Sequence, residues 1–357
     1  MNVLEASVDE LEFNYDSHWV SRQCNAGLPI SGAGPLLSGM VKFGLVWDLV
    51  WGAYLLTRWE YLTPSFAVTW SLALLWVNLA PFFIWMYDQV VLPEFFDRFR
   101  ELNTDQERLT EIAKKYNGFF AEPRPLASVL WGVFVLVIAW AGTPILTEMG
   151  MSGGGEPFLW LTYVYAAYIG VVLGGPGFVG PLTTILMIRE IAGLDFEIQP
   201  LHPDQLGGLS NVGYCAIRTT LLYSTASLFF PLGFQLAAGS GREIWILAIL
   251  GFYVVTVLGS FVYPTLKINR KAAELREEIL DGLRRRSDAV NAELEAAEGD
   301  EQQRIQKQLE LQRIRRKYDD YNNVRLYPLQ VDIFVRLAAS VLLPIMMLFL
   351  EFYLLGA

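Results

Sequence analysis

Residues 243–278 read EIWILAILGFYVVTVLGSFVYPTLKINRKAAELREE and pass directly from continuous apolar sequence to dense charge. The apolar part, 243–264, has the length that a helix needs to cross a hydrocarbon layer of ~30 Å. The charged part continues to residue 325 as a block of helix-forming residues. This contrast predicts a membrane-spanning helix that leads into a stalk standing in water.

Further apolar blocks of similar length occur along the chain. Their apolar residues are continuous and do not alternate with polar residues at the period of a strand or a soluble helix, which indicates membrane spans. We predict seven spans, at 41–57, 66–88, 126–147, 158–189, 211–236, 243–264 and 329–355. The predicted fold is all-α: a polytopic transmembrane helix bundle of about seven spans with a cytoplasmic antiparallel coiled-coil hairpin.

The composition narrows the classes of protein to consider. The chain has 357 residues, of which 53% are hydrophobic, and its net charge is −10. An acidic, lysine-poor surface suits a halophilic source, although ordinary acidic proteins share it. No extended basic patch indicates nucleic acid as a partner. Cys24 and Cys215 have no ligand spacing, so we expect no disulfide, no zinc site and no cofactor.

The connections between spans differ in their content of Lys and Arg, which indicates their side of the membrane. Segment 89–125 carries six basic residues and 265–325 carries fourteen, whereas the connections on the other side carry one or none. Residues 1–25 are acidic and lack the features of a secretory signal peptide. We therefore expect a multi-pass protein of the cell membrane with a cytoplasmic N-terminus and hairpin and an outside C-terminus.

Four segments follow from these patterns. Residues 1–40 form an N-terminal cytoplasmic segment, 41–264 the transmembrane bundle, 265–325 the hairpin and 326–357 the last transmembrane helix. Within the bundle, 94–118 is predicted to form two amphipathic cytoplasmic helices. Their features are the stripe Phe95, Phe99 and Leu102, a capping box from Thr104 to Glu107, and an end at Gly118.

The charged block has the pattern of two helices that pack together. In the first arm, apolar residues recur at helical spacing from Ile268 through Ala272 and Leu275. In the second arm, Leu311, Ile314 and Tyr318 continue such a stripe, and Gly299 can turn the chain between the arms. We predict an antiparallel coiled coil that is continuous with the sixth span, with a bend at Pro264.

The fourth span, 158–189, is about 48 Å long as a helix, which is too long for one straight crossing. Glycine and proline break its pattern, which predicts a crossing followed by an oblique second piece. One alternative is a kinked, tilted helix whose glycines allow close packing, and another is a discontinuous helix that exposes backbone dipoles to a permeating ion. The residues of this predicted helix break are Gly174, Gly175, Pro176, Gly177, Gly180 and Pro181.

Ionisable side chains inside spans are costly and mark either function or internal pairing. Asp48, Arg218 and Arg336 each lie about seven residues from the inner end of their predicted span, so we expect them at a common depth. Asp332 precedes Arg336 by one helical turn. We predict that Asp48 lies within salt-bridge reach of Arg218 or Arg336. The cluster either lines a pore or holds helices together, and the arginines can also snorkel to phosphates.

The loop after the fourth span contains His202, Pro203 and Asp204, followed by Gly207 and Gly208. Its turn-forming residues are sufficient to explain a rigid entry into the fifth span. A metal site is the alternative, with His202, Asp204 and the nearby Asp195 and Glu197 as ligands. The motif His202-Pro203-Asp204-x-x-Gly207-Gly208-Leu209 resembles a loop of uncharacterised prokaryotic polytopic membrane proteins. The resemblance covers eight residues and implies a prokaryotic membrane protein without a known activity.

Transport is the function that these features favour most. A channel is preferred to a coupled transporter because no internal repeat is found, and a passage lined by arginines would favour anions. The stalk would then assemble a homo-oligomer or gate the pore. The alternative is a membrane scaffold, sensor or insertion factor whose hairpin binds a cytoplasmic partner protein. An enzyme using His202 ranks last, because no nucleotide loop, zinc-protease motif or catalytic nucleophile is found.

Overall fold

The computed structural model describes residues 17–29, 33–102, 104–122, 125–202, 204, 206–238, 243–296 and 301–324. All regular elements in these ranges are helices. The α-helices are α1 Trp19–Asn25, α2 Pro35–Gly39, α3 Leu45–Arg58, α4 Pro64–Met86, α5 Leu92–Phe99, α6 Gln106–Ala121, α7 Pro125–Ala141, α8 Thr143–Glu148, α9 Glu156–Tyr168, α10 Gly175–Ile191, α11 Ser210–Ser224, α12 Phe230–Ala238, α13 Glu243–Ala296 and α14 Glu301–Asn322.

Short non-α segments join several of these helices without a break. Segments of π-helix lie at Met40–Gly44, Tyr87–Val91 and Ile169–Gly174, and 3₁₀ turns lie at Trp59–Tyr61 and Thr225–Phe229. A π-helical segment inserts an extra residue into a helical turn and is frequent at functional sites. The three π-segments therefore mark places where the spans depart from regular helix geometry.

Five helical ranges are long and apolar enough to cross a membrane: Pro35–Tyr61, Pro64–Phe99, Gln106–Ala141, Glu156–Ile191 and Gly251–Glu295. They overlap predicted spans one to four and six. The chain is thus a helical, multi-pass membrane protein by the length and composition of its helices. Many large apolar side chains of these helices are exposed, as expected of a surface that faces lipid; examples are Val46, Leu49, Leu130 and Trp160.

The other two predicted spans stay predictions. Segment 211–236 is α11, a 3₁₀ turn and α12 in succession, and none of these is a membrane-length apolar helix. Polar residues such as Asn211, Thr219 and Ser224 lower its hydropathy, and they are buried against other helices. The predicted span 329–355 lies outside the described residues.

The predicted break in the fourth span is wrong, because the chain stays helical from Glu156 to Ile191. The π-segment Ile169–Gly174 lies directly before Pro176 and accommodates the irregularity, while Pro181 lies inside α10. Of the three forms considered, the single helix with close-packing glycines describes the structure. A Cβ added at Gly170 would come within 2.6 Å of the Gly132 backbone in α7, so these two helices cross at glycines.

The predicted amphipathic segment 94–118 needs two corrections. Its first half is the continuation of the second long helix, and its second half is α6, which is capped by Asp105 and not by Thr104. The Asp105 carboxylate accepts a hydrogen bond from the Arg108 N–H at 3.1 Å, while the Thr104 hydroxyl donates to the Asp195 carbonyl. Helix α6 also runs past Gly118 to Ala121. The buried apolar stripe is as predicted: Phe95, Phe99, Leu102, Leu109, Ile112 and Tyr116.

Helix α13 runs without interruption through Pro264, from the apolar sequence into the charged block, and has 54 residues. At 1.5 Å per residue it is about 81 Å long. Helix α14 packs against its distal part in antiparallel order, as Arg286 pairs with Glu310 and Lys307 with Glu293. A small apolar cluster of Val290, Leu311 and Ile314 lies between the two helices.

Candidate functional site

The structure does not bring Asp48 and Arg218 together. The Asp48 carboxylate accepts a hydrogen bond from Asn78 Nδ2 at 2.9 Å, whereas the Arg218 guanidinium pairs with Glu94. Arg218 is therefore not the salt-bridge partner of Asp48, and the predicted contact of Asp48 with Arg218 or Arg336 stays a prediction for Arg336. Arg336 and Asp332, the other members of the predicted cluster, lie outside the described residues.

The two side chains lie at different distances from the ends of their helices. Asp48 is about 20 Å along the first long helix from Pro35, and Arg218 is about 12 Å along α11 from Ser210. Each side chain instead meets a partner from a different helix, Asn78 for Asp48 and Glu94 for Arg218.

Arg218 belongs to an ionic group near the inner ends of the helices. Glu94 receives both Arg218 from α11 and Arg98 from one turn further along its own helix, the latter at 2.6 Å. The Arg218 side chain is 45% exposed and that of Glu94 is 28% exposed. This group joins α5 to α11, and it keeps a net charge of +1 because one carboxylate faces two guanidiniums.

Asp48 occupies a different environment, among aromatic rings of the first, second and fourth long helices. Trp47 packs on Tyr165 with ring centroids 4.8 Å apart, and Trp51 stacks on Trp70 at 5.1 Å. Asp48 has no salt-bridge partner within the described part of the chain. Within the described residues, its carboxylate accepts one hydrogen bond, from Asn78, which is itself buried.

Sequence reasoning missed a second buried carboxylate, Asp88. Asp88 is fully buried in the π-segment of the second long helix and accepts hydrogen bonds from the His18 backbone N–H at 2.9 Å and from Gln89 Nε2 at 3.0 Å. His18 in turn caps α1, since its Nδ1 accepts from the Val20 N–H. Burial, assisted by the charge of Arg22, lowers the pKa of His18 to about 4, so its ring is neutral at neutral pH. This contact fixes the N-terminal segment to the bundle.

A chain of buried hydroxyl groups crosses the bundle next to Asp88. The Tyr87 hydroxyl donates to the Gly180 carbonyl at 2.9 Å and lies 2.7 Å from the Thr184 hydroxyl, which is 3.2 Å from that of Thr219. These contacts join the second long helix, α10 and α11. Their residue types are common in helix contacts within membranes, where hydroxyls hydrogen-bond across helices. The chain holds the helices in register around the predicted break.

Several of the predicted break residues border an apolar cavity between the long helices. Gly174, Gly177 and Pro181 form one side of this space, which measures about 130 Å³ and is lined almost wholly by apolar atoms. The cavity is partly open, and its other lining residues include Trp76 and Ala80 from α4, Trp131 and Phe134 from α7, Phe229 from the 3₁₀ turn and Phe252 from α13. The remaining break residues serve packing: Gly175 lies against Ser128, Gly180 against Tyr223, and Pro176 is buried.

The loop motif has a structural role. Asp204 Oδ1 accepts hydrogen bonds from the Leu206 and Gly208 N–H groups, and Oδ2 accepts from the Ser210 N–H at the start of α11. Burial opposes ionisation of Asp204, but the hydrogen bonds from Gly208 and Leu206 prevail and lower its pKa. Gly207 and Gly208 have φ of 69° and 91°, a left-handed conformation that favours glycine. The loop is therefore a turn that caps α11.

The alternative of a metal site in this loop finds no support. His202 Nδ1 lies 2.8 Å from Asp204 Oδ1, but Asp195 faces Lys271 instead. No group of three or more His, Cys, Asp or Glu side chains that could hold a metal ion occurs in the described ranges. Pro203 lies outside them.

Comparison of the chain with protein-family models, with curated proteins and with solved structures found no match.

Proposed function

We propose that this membrane protein transports a molecule with an apolar part, and that the cavity beside Gly174, Gly177 and Pro181 receives that part. The cavity is the observation that carries the proposal. Its lining residues lie about 18–24 Å along the helix from Pro64 (Trp76 and Ala80) and about 27–38 Å along the helix from Glu156 (Gly174 and Pro181). It therefore lies at the level of the hydrocarbon layer, between five helical segments.

The chemistry of the lining decides between cargo classes. An apolar lining of this kind favours apolar groups, as engineered apolar cavities of comparable volume take benzene. An ion would lose its hydration in such a space without gaining ligands. The anion preference does not enter this proposal, because Arg218 pairs with Glu94 and does not line the cavity.

The proposal keeps the orientation that the basic segments indicate: N-terminus and helix pair α13–α14 in the cytoplasm and C-terminus outside. It also keeps seven spans and assembly into a homo-oligomer. The supports are the positions of Lys and Arg and the length of α13, which carries the charged block well beyond the apolar sequence. In this arrangement the helix pair is available for assembly or gating.

Substitution of Gly177 by Leu tests the cavity. A Cβ at Gly177 meets no atom within 4 Å, so the leucine side chain has room to enter the cavity without disturbing the helix. We expect proteoliposomes with this variant to translocate a nitrobenzoxadiazole-labelled lysophospholipid several-fold more slowly than the wild type. The rate is measured by dithionite quenching of the label that reaches the outer leaflet.

Gly52→Leu is the matched control. Gly52 is also a span glycine with no atom within 4 Å of an added Cβ, but it does not border the cavity. It should translocate the probe at the wild-type rate. Equal rates for all three proteins, or no translocation above that of empty liposomes, would overturn the transport proposal.

The second candidate function is partner binding by the helix pair α13–α14. Ile305 and Leu309 lie one turn apart on α14 and are 53% and 50% exposed. Single exposed apolar residues are common on protein surfaces. Two large apolar side chains one turn apart on a charged helix form a small apolar patch of the kind that a partner protein can cover.

Changing both residues to Gln tests this function separately from transport. We expect the double variant Ile305→Gln, Leu309→Gln to lose its interaction partner in cross-linking of intact membranes, while lysophospholipid translocation is unchanged. An unchanged cross-linking pattern would count against partner binding at this surface.

A further inference from the structure

The apolar cavity is partly open, and the exposure of its lining residues shows where. Phe252 of α13 is the most exposed of them, at 51%, and Trp131 of α7 and Phe178 of α10 are partly exposed. Trp76 and Tyr223, which line the cavity from α4 and α11, are buried. The opening therefore lies beside Phe252, and the buried residues belong to the inner wall.

The packing of the helices accounts for this opening. Helix α10 packs against both α7 and α13, whereas α7 and α13 are not packed extensively on each other in the described part of the chain. A gap therefore separates α7 from α13, and α10 forms its floor. Gly177 of α10 leaves this floor without a side chain, since a Cβ added there would meet no atom within 4 Å.

Three aromatic rings lie at the gap, one from each of the three helices. The centroid of the Phe178 ring lies 6.1 Å from that of Trp131 and 5.7 Å from that of Phe252. All three rings line the cavity, so a molecule that enters between α7 and α13 has to pass them. Phe178 is the middle ring because it contacts both of the others. Partly exposed side chains change rotamer rapidly, so this ring can move aside without a change of the backbone.

The gap lies within the hydrocarbon layer. Phe178 lies about 16 Å along its helix from Arg189, which is the nearest charged residue of that helix. Phe252 lies about 14 Å along α13 from Glu243, by the same measure. Half the thickness of the hydrocarbon layer is ~15 Å. Both rings are therefore expected near the middle of the bilayer.

The surface around the gap has the character of a lipid-facing surface. Leu130, next to Trp131 in α7, is 61% exposed, and Val255, one turn after Phe252 in α13, is 68% exposed. Exposed apolar surface at this depth is in contact with acyl chains, because water is absent from the bilayer core. An acyl chain is therefore the group that lies at the opening, and the apolar lining of the cavity suits it.

We propose that the cavity opens sideways into the bilayer between α7 and α13, that Phe178 is its gate, and that the cargo is a membrane lipid whose acyl chain enters there. The proposal rests on the transport function above and specifies the cargo and its route of entry. The lipid headgroup stays outside the cavity, because the lining offers almost no polar atoms to replace its hydration.

Photolabelling from within the bilayer tests this route. The full-length protein is reconstituted with a trace of phosphatidylcholine that carries a diazirine midway along one acyl chain, and the adducts formed on irradiation are assigned by mass spectrometry. We expect adducts on the buried cavity residues Trp76 and Tyr223, as well as on Leu130, which faces lipid in any case. Gly177→Leu, which fills the cavity, should reduce the first two adducts several-fold and leave that on Leu130 unchanged.

Variants of the rings test the gate. Phe178→Ala removes the middle ring and should raise the labelling of the two buried residues several-fold relative to Leu130. Phe82→Ala is the matched control, because Phe82 is also a partly exposed span phenylalanine with aromatic neighbours but does not line the cavity. It should label as the wild type does. If Phe178→Ala does not fold, Phe252→Ala, which removes the most exposed of the three rings, takes its place.

Two outcomes would overturn the sideways route. The first is a wild-type protein without adducts on Trp76 and Tyr223. The second is labelling of these residues that is unchanged in Phe178→Ala or, where that variant does not fold, in Phe252→Ala. Either result together with normal lysophospholipid translocation would leave transport standing with another route of entry. Cavity adducts that respond to the gate in a protein without translocation would support the lipid in the cavity and overturn transport alone.

Discussion

Replacing Gly170 by Leu is expected to destabilise the protein by on the order of 3 kcal/mol or more, because the added side chain has no space and no flexible neighbour. A Cβ at this position would meet the Trp131 carbonyl oxygen and would lie 2.5 Å from Gly132 Cα. Both contacts are backbone, so a side-chain rotation cannot relieve them. The helices at 125–141 and 156–191 would have to separate at their crossing. Thermal unfolding in detergent should show a markedly lower melting temperature.

The control for this prediction is Gly52→Leu, which adds the same side chain to a span glycine with free space around it. We expect its melting temperature to lie close to that of the wild type. A Gly170→Leu protein that melts together with this control would show that the two helices do not cross at their glycines.

Replacing Asp88 by Ala is expected to release the N-terminal segment from the bundle. The substitution leaves the buried His18 N–H without its acceptor, and an unsatisfied buried donor costs up to about 3 kcal/mol. That energy is a change of roughly a hundredfold in the equilibrium for local opening. Arg22 is exposed in this segment, so limited trypsin digestion at Arg22 should accelerate to a similar extent.

Asp97→Ala, on the same long helix but exposed, is the matched control and should be cleaved at the wild-type rate. Equal rates for Asp88→Ala and the wild type would mean that Asp88 does not hold His18. If the Asp88→Ala protein instead aggregates before it is cleaved at Arg22, Asp88 stabilises the whole bundle and not only the N-terminal segment.

Much of the helical architecture is predictable from hydropathy, because a lipid-facing helix needs a continuous apolar run. Five predicted spans reappear as membrane-length helices, and their apolar surfaces are exposed as lipid contact requires.

The ends of these helices were less predictable. The second long helix continues to Phe99 through polar residues, because a π-segment and buried contacts sustain it beyond the apolar sequence. The glycines and prolines of the fourth span also predicted a break. The same glycines occur where two helices pack closely, so the sequence does not distinguish the two cases.

The polar sites were predictable only in part, since residue type and depth identify costly groups but not their partners. Asp48 and Arg218 were recognised, yet Asn78 and Glu94, which bind them, lay on helices whose register a sequence does not reveal. Asp88 was assigned to the end of a span and passed over. The only sequence feature that could have indicated a buried carboxylate was the position of Asp88, an acidic residue at the end of an apolar run. The aromatic wall near Asp48 was hidden for a similar reason, because its residues come from three separate helices.

Labelling from the two sides of the membrane tests the central claim, that the apolar helices cross a bilayer and carry α13–α14 to its inner side. The single variants Ser152→Cys and Ala289→Cys place thiols at exposed positions, while native Cys24 and Cys215 are buried and give little background. A membrane-impermeant maleimide added to intact cells should label Ser152→Cys at once and Ala289→Cys only after the membrane is opened. Labelling of both positions from outside, or of Ala289→Cys alone, would contradict the account.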